Sequence, residues 1–266
     1  MHNITDTEFS RFQRFIFDAA GITLSPAKKA LVSGRLSKRL QAHRLDSYGD
    51  YFKLLSSGQA NDEVQTAVDL LTTNETYFFR EPRHFEVLRT LALEAIGRPQ
   101  PFRVWSAASS SGEECYSIAM VLADCLGQAS WDVTGSDISR RVLQKARTGH
   151  YPLERTHNIP PAYLKRFCLR GIDEQEGTLL VDRALRSRVS FAQINLNTDL
   201  PRLASFDMVF LRNVMIYFNG ETKRQVVARI VSTLKPGGHL CIGHSESLND
   251  INPGLLPVAP SIYRKP

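Results

Sequence analysis

The chain changes rhythm near residue 100. Before that point apolar residues recur three and four apart, and no stretch alternates as a strand does; beyond it, short strand-like runs take turns with helix-like ones. Thr5 and Glu8 have the spacing of a capping box, Phe9, Phe12, Ile16 and Ala20 form one stripe, and Gly21 closes the helix. Ser25 and Pro26 open a second helix, an N-cap followed by proline, that runs toward His43 with Leu31, Leu36 and Leu40 facing a core. Shorter helices are expected at Tyr48–Leu55 and 62–71.

In the second part "FRVWSA" (102–107), "WDVTGSD" (131–137), "VSFAQINL", "FDMVFLRN" and "HLCIGHSE" read as strands. Helices are expected after Gly112, at 139–148 and at 221–234. This alternation specifies an α/β fold with a Rossmann-like, mostly parallel, doubly wound sheet. "GGHLCIG" and "SIYRK" predict a closing antiparallel pair. Residues 151–187 interrupt the pattern with a short helix at 161–170 and a glycine-bounded hairpin in "GIDEQEGTLLVDR", so a small β-subdomain insertion is expected at 168–187. The expected division is a helical domain (1–72), a linker and first helix (73–98) and a sheet domain (99–266).

Composition excludes several classes. With 42% hydrophobic and 23% charged residues the chain is globular rather than disordered. No apolar run approaches the roughly 18 residues of a membrane span, and the first twenty residues do not pattern as a signal peptide. Cys115, Cys125, Cys168 and Cys241 are too scattered for a disulfide framework or a zinc motif, which predicts no metal and a reducing cytoplasm. Net charge is +6, and the segment from Lys28 to Arg44 carries six basic residues and no acid, which points to an acidic partner.

The first strand–helix turn, "SAASSSGEE", is built of small residues that let a backbone approach a ligand at the strand's carboxyl end. It matches neither the dinucleotide fingerprint nor a phosphate loop. Glu113 and Glu114 open the following helix, and acids there oppose a pyrophosphate. Asp137 ends the next strand, where an acid accepts hydrogen bonds from ribose hydroxyls. A phosphate-free turn with that acid resembles a class I S-adenosylmethionine (SAM) methyltransferase.

Longer stretches sharpen the resemblance. "TNETYFFRE" (73–81), "WSAASSSGEECYSIAM" (105–120), "FLRNVMIYF" (210–218) and "LKPGGHLCIGHSES" (234–247) resemble the signature segments of the CheR family of chemoreceptor glutamate O-methyltransferases. The likeness covers nearly the whole chain; Cys115 departs from it, standing where proline is expected after the glutamate pair. The resemblance implies transfer of methyl from SAM to glutamate side chains on the cytoplasmic helices of chemoreceptors, giving glutamyl methyl esters for sensory adaptation, with S-adenosylhomocysteine (SAH) as coproduct. It implies cofactor contacts from Asn74, Thr76 and Arg80, from Glu114 or its neighbour Glu113, and from Asp137, Asn195, Leu196, Arg212 and Asn213. Tyr217 would point at the transfer site. It further implies a monomer working in the cytoplasm at membrane-bound receptors; in some members of the family the β-subdomain docks a receptor's C-terminal tail peptide, and the acidic "IDEQE" leaves that docking open here.

The chemistry agrees with the residues. A glutamate carboxylate, with a pKa of about 4.3, is ionised at neutral pH and needs no general base. Arg80 suits a carboxylate and Tyr217 suits orientation of the methyl or substrate, whereas a phenol with a pKa of about 10 is a poor base. His244 and Glu246 read as structural polar residues at a strand end. Arg35, Lys38 and Arg39 share a helix face and are the expected contacts for a glutamate-rich receptor helix. Two other readings stand beside this one: a nucleic-acid methyltransferase, suggested by the basic segment, and a non-catalytic SAM- or SAH-binding signalling module. Against nucleic acid, no aromatics interleave with the basic patch.

Overall fold

The computed structural model describes residues 3–251 and 254–266. Four helices come first: α1 (Asp6–Ala20), α2 (Lys29–His43), α3 (Tyr48–Leu55) and α4 (Asn61–Leu71). The Thr5–Glu8 capping box forms in both directions, Gly21 closes α1 at φ 71°, and the expected stripe of Phe9, Phe12, Ile16 and Ala20 is buried. In α2 the buried residues are Val32, Leu36 and Leu40. Leu31 is only partly buried, because the four-residue repeat that faces the other helices starts one residue later. Ser25 precedes a single 3-10 turn, Pro26–Lys28, and its side chain makes no capping bond.

After a linker, α5 (Arg83–Glu94) leads into the sheet half. Its elements are β1 (Phe102–Ser106), α6 (Glu113–Leu126), β2 (Trp131–Asp137) and α7 (Arg140–Thr148). Next come β3 (His150–Pro152), α8 (Pro161–Phe167), β4 (Cys168–Arg170), β5 (Thr178–Val181) and α9 (Arg183–Arg186). The chain ends with β6 (Val189–Gln193), β7 (Phe206–Leu211), α10 (Gly220–Thr233), β8 (Leu234–Ile242), β9 (Leu256–Ala259) and β10 (Ile262–Arg264).

The large sheet runs β6-β2-β1-β7-β8-β10-β9. The first five strands are parallel, and β10 returns antiparallel to β8, as the closing pair predicted. β9, antiparallel to β10, was not legible in its sequence "LPVA", which carries a proline and no alternation. The insertion is a separate antiparallel sheet, β3-β5-β4. The helix expected at 161–170 stops at Phe167, and residues 168–170 pair with β5 instead.

Because β2 and β7 flank β1 on opposite sides, the chain order reverses beside β1, and a crevice opens there at the carboxyl ends of the strands. Two apolar clusters cover the faces of the sheet. One runs without a break from Phe12, Leu36 and Tyr51 of the helical segment to Trp105, Val209 and Ile230 under α10. The helical segment therefore shares a core with one face of the sheet.

Candidate active site over the switch point of the sheet

The crevice is a cleft of about 850 Å³, its open mouth included. Its floor is the turn after β1, with Ala107, Ala108 and Ser110 in the lining. Gly112 closes that turn at φ 95°, and a Cβ there would stand 2.9 Å from the Ala146 Cβ, so only glycine lets α6 pack so near α7. Ser110 donates from its hydroxyl to the Asn74 carbonyl (2.8 Å), which ties the floor to the linker.

Asp137 lines the cleft at the end of β2. Its Oδ2 accepts from the Ser110 N–H and its Oδ1 from the Ser139 N–H, both at 2.9 Å. Burial pushes its pKa up against those bonds. Each oxygen keeps a further lone pair, which is the acceptor set that two adjacent ribose hydroxyls need.

The two glutamates at the start of α6 part company. Glu114 enters the lining, accepting from the Ser106 hydroxyl and from Arg212 Nη1, both at 2.7 Å. Glu113 points away into the protein, where it accepts from the Ser111 hydroxyl and pairs with Arg155 (both 2.7 Å). Burial raises its pKa. Glu113 thus stands outside the cleft, because a step of one residue on a helix turns a side chain by about 100°.

Arg212 is buried and works as a clamp. Besides Glu114 it pairs with Glu81 (3.0 Å) and donates to the Arg80 carbonyl (2.6 Å). Asn213 follows in the left-handed region (φ 56°) and donates its N–H to Glu246 (2.9 Å). The Glu246 carboxylate also accepts from the N–H groups of Gly243 (2.7 Å), Met215 (2.8 Å) and Ile216 (3.3 Å). It therefore fixes the loop that presents Tyr217 to the cleft.

The far wall comes from the helical half. Ala20 and Ile22 line the cleft, Ile22 bridges to Phe218, and the Thr23 N–H donates to the Tyr217 carbonyl (2.8 Å). Asn195 lines the cleft beside Leu196 and donates to the Ala19 carbonyl at the end of α1 (2.7 Å). Asn74, Thr76 and Arg80 line it from the linker. Arg80 rests over the Tyr77 ring at 5.6 Å and donates to the Glu75 carbonyl (3.3 Å). None of the three linker aromatics is in the lining: Phe78 is buried edge-on against Tyr151, Phe79 packs on Phe85 and Tyr163, and Tyr77 supports Arg80. Phe79, Glu81, Ser110 and Asn213 are four of the seven non-glycine residues with positive φ among the described residues. Two of them, Ser110 and Asn213, line the cleft, and the other two lie in the linker beside it.

Thus ten of the sequence-predicted residues meet around one cavity: Asn74, Thr76, Arg80, Glu114, Asp137, Asn195, Leu196, Arg212, Asn213 and Tyr217. The basic helix behaves otherwise. Arg35 donates to the Leu71 and Thr72 carbonyls (3.2 and 3.0 Å), and Arg39 is held by Glu63 (2.8 Å), which Tyr51 also contacts. Both guanidiniums turn toward α4 rather than forming one solvent-facing patch with the exposed Lys38, because one turn of helix sets them on the packed flank. Sequence reading missed the organising roles of Glu81 and Glu246. The only signal for Glu81 was its place in "FREP" beside Arg80.

A family model described as "CheR methyltransferase, SAM binding domain" matches residues 74–261, and one described as "CheR methyltransferase, all-alpha domain" matches residues 7–72. The chain belongs to the CheR methyltransferase family. A "Chemotaxis protein methyltransferase" of Escherichia coli (strain K12) is 43% identical to this CheR chain over 251 residues, covering 93% of this chain and 87% of that one. A "Chemotaxis protein methyltransferase 2" of Pseudomonas aeruginosa is 41% identical over 97% of this chain and 93% of its own. Among solved structures, the N-methyltransferase NodS from Bradyrhizobium japonicum WM9 in complex with SAH aligns with a TM-score of 0.42 at 16% identity, over 74% of this chain and 95% of that one. The CheR chain is a SAM-dependent methyltransferase of chemotaxis, and its cofactor is SAM. Among its described residues no helix is long and apolar enough to cross a membrane.

The cleft suits that cofactor. The buried acid at the end of β2 faces it with lone pairs to spare, and Glu114 lies in place of a phosphate cradle. Arg80 is the lining cation left for a carboxylate, because Arg212 is already paired.

Proposed function

We propose that this cleft methylates glutamate side chains on the cytoplasmic helices of chemoreceptors, forming glutamyl methyl esters. The observation that carries the reading is the lining itself: among the described residues it includes no histidine or cysteine, and two of its three carboxylates, Glu114 and Asp137, are bonded to backbone N–H groups, a serine or Arg212, while the third, Glu75, is exposed to solvent. Such a site holds no imidazole or thiol to act as general base and suits a nucleophile that arrives already ionised, as a carboxylate does.

SAM, when bound, supplies an electrophilic methyl group on a sulfonium. Asp137 accepts from the ribose hydroxyls, Asn74, Thr76, Asn195 and Leu196 wall the cofactor, and Arg80 takes its carboxylate. Arg212 and Asn213 act by fixing Glu114 and the Tyr217 loop. Tyr217 orients the incoming carboxylate, and Ala20, Ile22 and Phe218 keep water from that end of the cleft. Alignment of this kind supplies about 7–11 kcal/mol of a transfer barrier. Lys38 attracts the acidic receptor helix from solvent, while Arg35 and Arg39 shape the domain that carries it. Their bonds to Leu71, Thr72 and Glu63 interrupt the continuous basic face that a nucleic-acid substrate would use. The enzyme works as a monomer in the cytoplasm, recruited to receptors, and the exposed Leu169 and Ile172 at the β4 edge offer a receptor tail a place to pair.

The test is transfer from tritiated SAM to receptor cytoplasmic fragments, scored as label released by mild base. Base-labile label lost on Glu→Gln substitution of the receptor's acceptor sites is expected. Base-stable label, or label on RNA or DNA instead, would overturn the assignment.

A further inference from the structure

His84 has no function in the account above, yet it is held in a costly state. It sits in the first turn of α5 with 0% exposure, and neither ring nitrogen has a hydrogen-bond partner among the described residues. An imidazole buried with neither nitrogen bonded costs about 1–3 kcal/mol, and a buried polar group ordinarily has a partner. Its Nδ1 lies 3.5 Å from Glu81 Oε2. The same oxygen lies 3.8 Å from Nε2 of His244, which reaches in from the loop after β8. The two imidazole rings are 5.2 Å apart, edge to face.

We propose that Glu81, His84 and His244 form a binding site for one divalent transition-metal ion of the zinc class. All three residues offer a ligand atom within 4.8 Å of the others. A tetrahedral ion with bonds of about 2.0–2.1 Å places its ligands about 3.3–3.4 Å apart, so the edges at 3.5 and 3.8 Å close with shifts of about half an ångström or less, and the third edge, at most 4.8 Å, with about 1.5 Å or less. His244, half exposed, supplies that movement and leaves a fourth position open to water. Two imidazoles and one carboxylate favour zinc, cobalt or nickel over magnesium or calcium, which take oxygen ligands.

The surroundings support the set. Burial, with the nearby Arg212 charge, pushes the His84 pKa down to about 4, so its ring is neutral at pH 7, the form that ligates. Arg212 donates to the same carboxylate oxygen at 3.0 Å and orients it, as a hydrogen-bonding neighbour of a ligating carboxylate does. Glu114, on the other arm of Arg212, keeps the local charge negative before an ion arrives. Glu81 and His84 are three residues apart, but His244 follows 160 residues after His84, which is why the sequence does not group the three.

The experiment uses the full chain with no affinity tag, stripped by chelator and titrated with Co²⁺. One equivalent should bind with the visible absorption of a four-coordinate nitrogen–oxygen site, and Zn²⁺ should displace it. His244→Ala removes an exposed ligand outside the cofactor cleft. It should weaken Co²⁺ binding by at least about tenfold while leaving methyl transfer in chelator unchanged. His84→Gln, with folding checked by circular dichroism, should do the same to the absorption band. Equal binding in His244→Ala, a thiolate charge-transfer band from Cys125 or Cys168, or no band in the parent would overturn the proposal.

Discussion

Replacing Arg212 by methionine keeps an unbranched apolar stem and removes the charge and the donors at its end. The side chain is 2% exposed, and both its carboxylate partners are 12% exposed. Water therefore has little access to the two acids left behind. Removing one partner of a buried ion pair costs about 3–5 kcal/mol, mostly from the stranded charge. Two stranded acids place Arg212→Met at or above the middle of that range, a large share of the roughly 5–15 kcal/mol that holds a domain. The loss should depend on pH. Burial pushes the Glu81 carboxyl up, but Arg212 outweighs it and holds the pKa below the ordinary value. In the parent, Glu81 thus contributes stability above the unfolded-state pKa that is lost as pH falls through the lower folded-state value. In Arg212→Met burial is opposed only by the His244 contacts and the folded-state pKa rises, so the gap between the two proteins narrows on acidification. Urea unfolding followed by circular dichroism at pH 7 and pH 5 measures both. The triple variant with Glu81→Gln and Glu114→Gln should recover part of the loss, which identifies stranded charge as the cause. A loss under about 1 kcal/mol at pH 7, or a gap that does not shrink with acid, would refute the reasoning.

Glu246→Gln replaces an acceptor of four N–H groups with one whose amide end repels them. Losing about 1.5–3 kcal/mol of charge-assisted bonding should lower kcat roughly tenfold to a hundredfold with a smaller change in KM, and equal falls in both would point to general unfolding. Arg80→Ala should abolish transfer with an unchanged melting temperature, since the side chain bonds only a backbone carbonyl and rests on Tyr77; full activity would remove Arg80 from the site. For Glu63, burial acts upward, but Arg39, Tyr51 and His43 bring the pKa down to about 2. Its stabilising contribution is complete above the ordinary carboxylate range and fades as pH falls toward 2, so Glu63→Gln should flatten the acid limb of a stability–pH curve. Lys38→Glu should slow receptor methylation at low ionic strength and matter less in salt; a rate insensitive to both would exclude steering by α2.

Sequence periodicity located the helical half, the parallel sheet and its antiparallel return, because apolar spacing and capping residues are local signals. The ten cleft residues came instead from the likeness of longer segments to the CheR signatures; those segments lie at strand ends and in the linker, where chemistry rather than packing sets the residue type. What it could not reach was direction. Glu113 and Glu114 are equivalent in the sequence, and only the packing of α6 on β1 turns one outward to the cleft and the other inward to Arg155. Arg35 and Arg39 read as surface charge because their carbonyl and carboxylate partners, Leu71, Thr72 and Glu63, lie 24 to 37 residues away. Glu246 looked structural and is so, but the loop it organises is that of Tyr217.

The contacts of Ala19, Ile22 and Thr23 with Asn195, Phe218 and Tyr217 bear on how relatives of this enzyme can be recombined. A chimera that borrows its helices from another member, to redirect it to other receptors, also borrows one wall of the cofactor cleft. Under the proposed function, in which α2 meets the receptor, partner choice and cofactor retention are inherited together, and a successful graft has to cut outside residues 19–23 or carry their partners across with them.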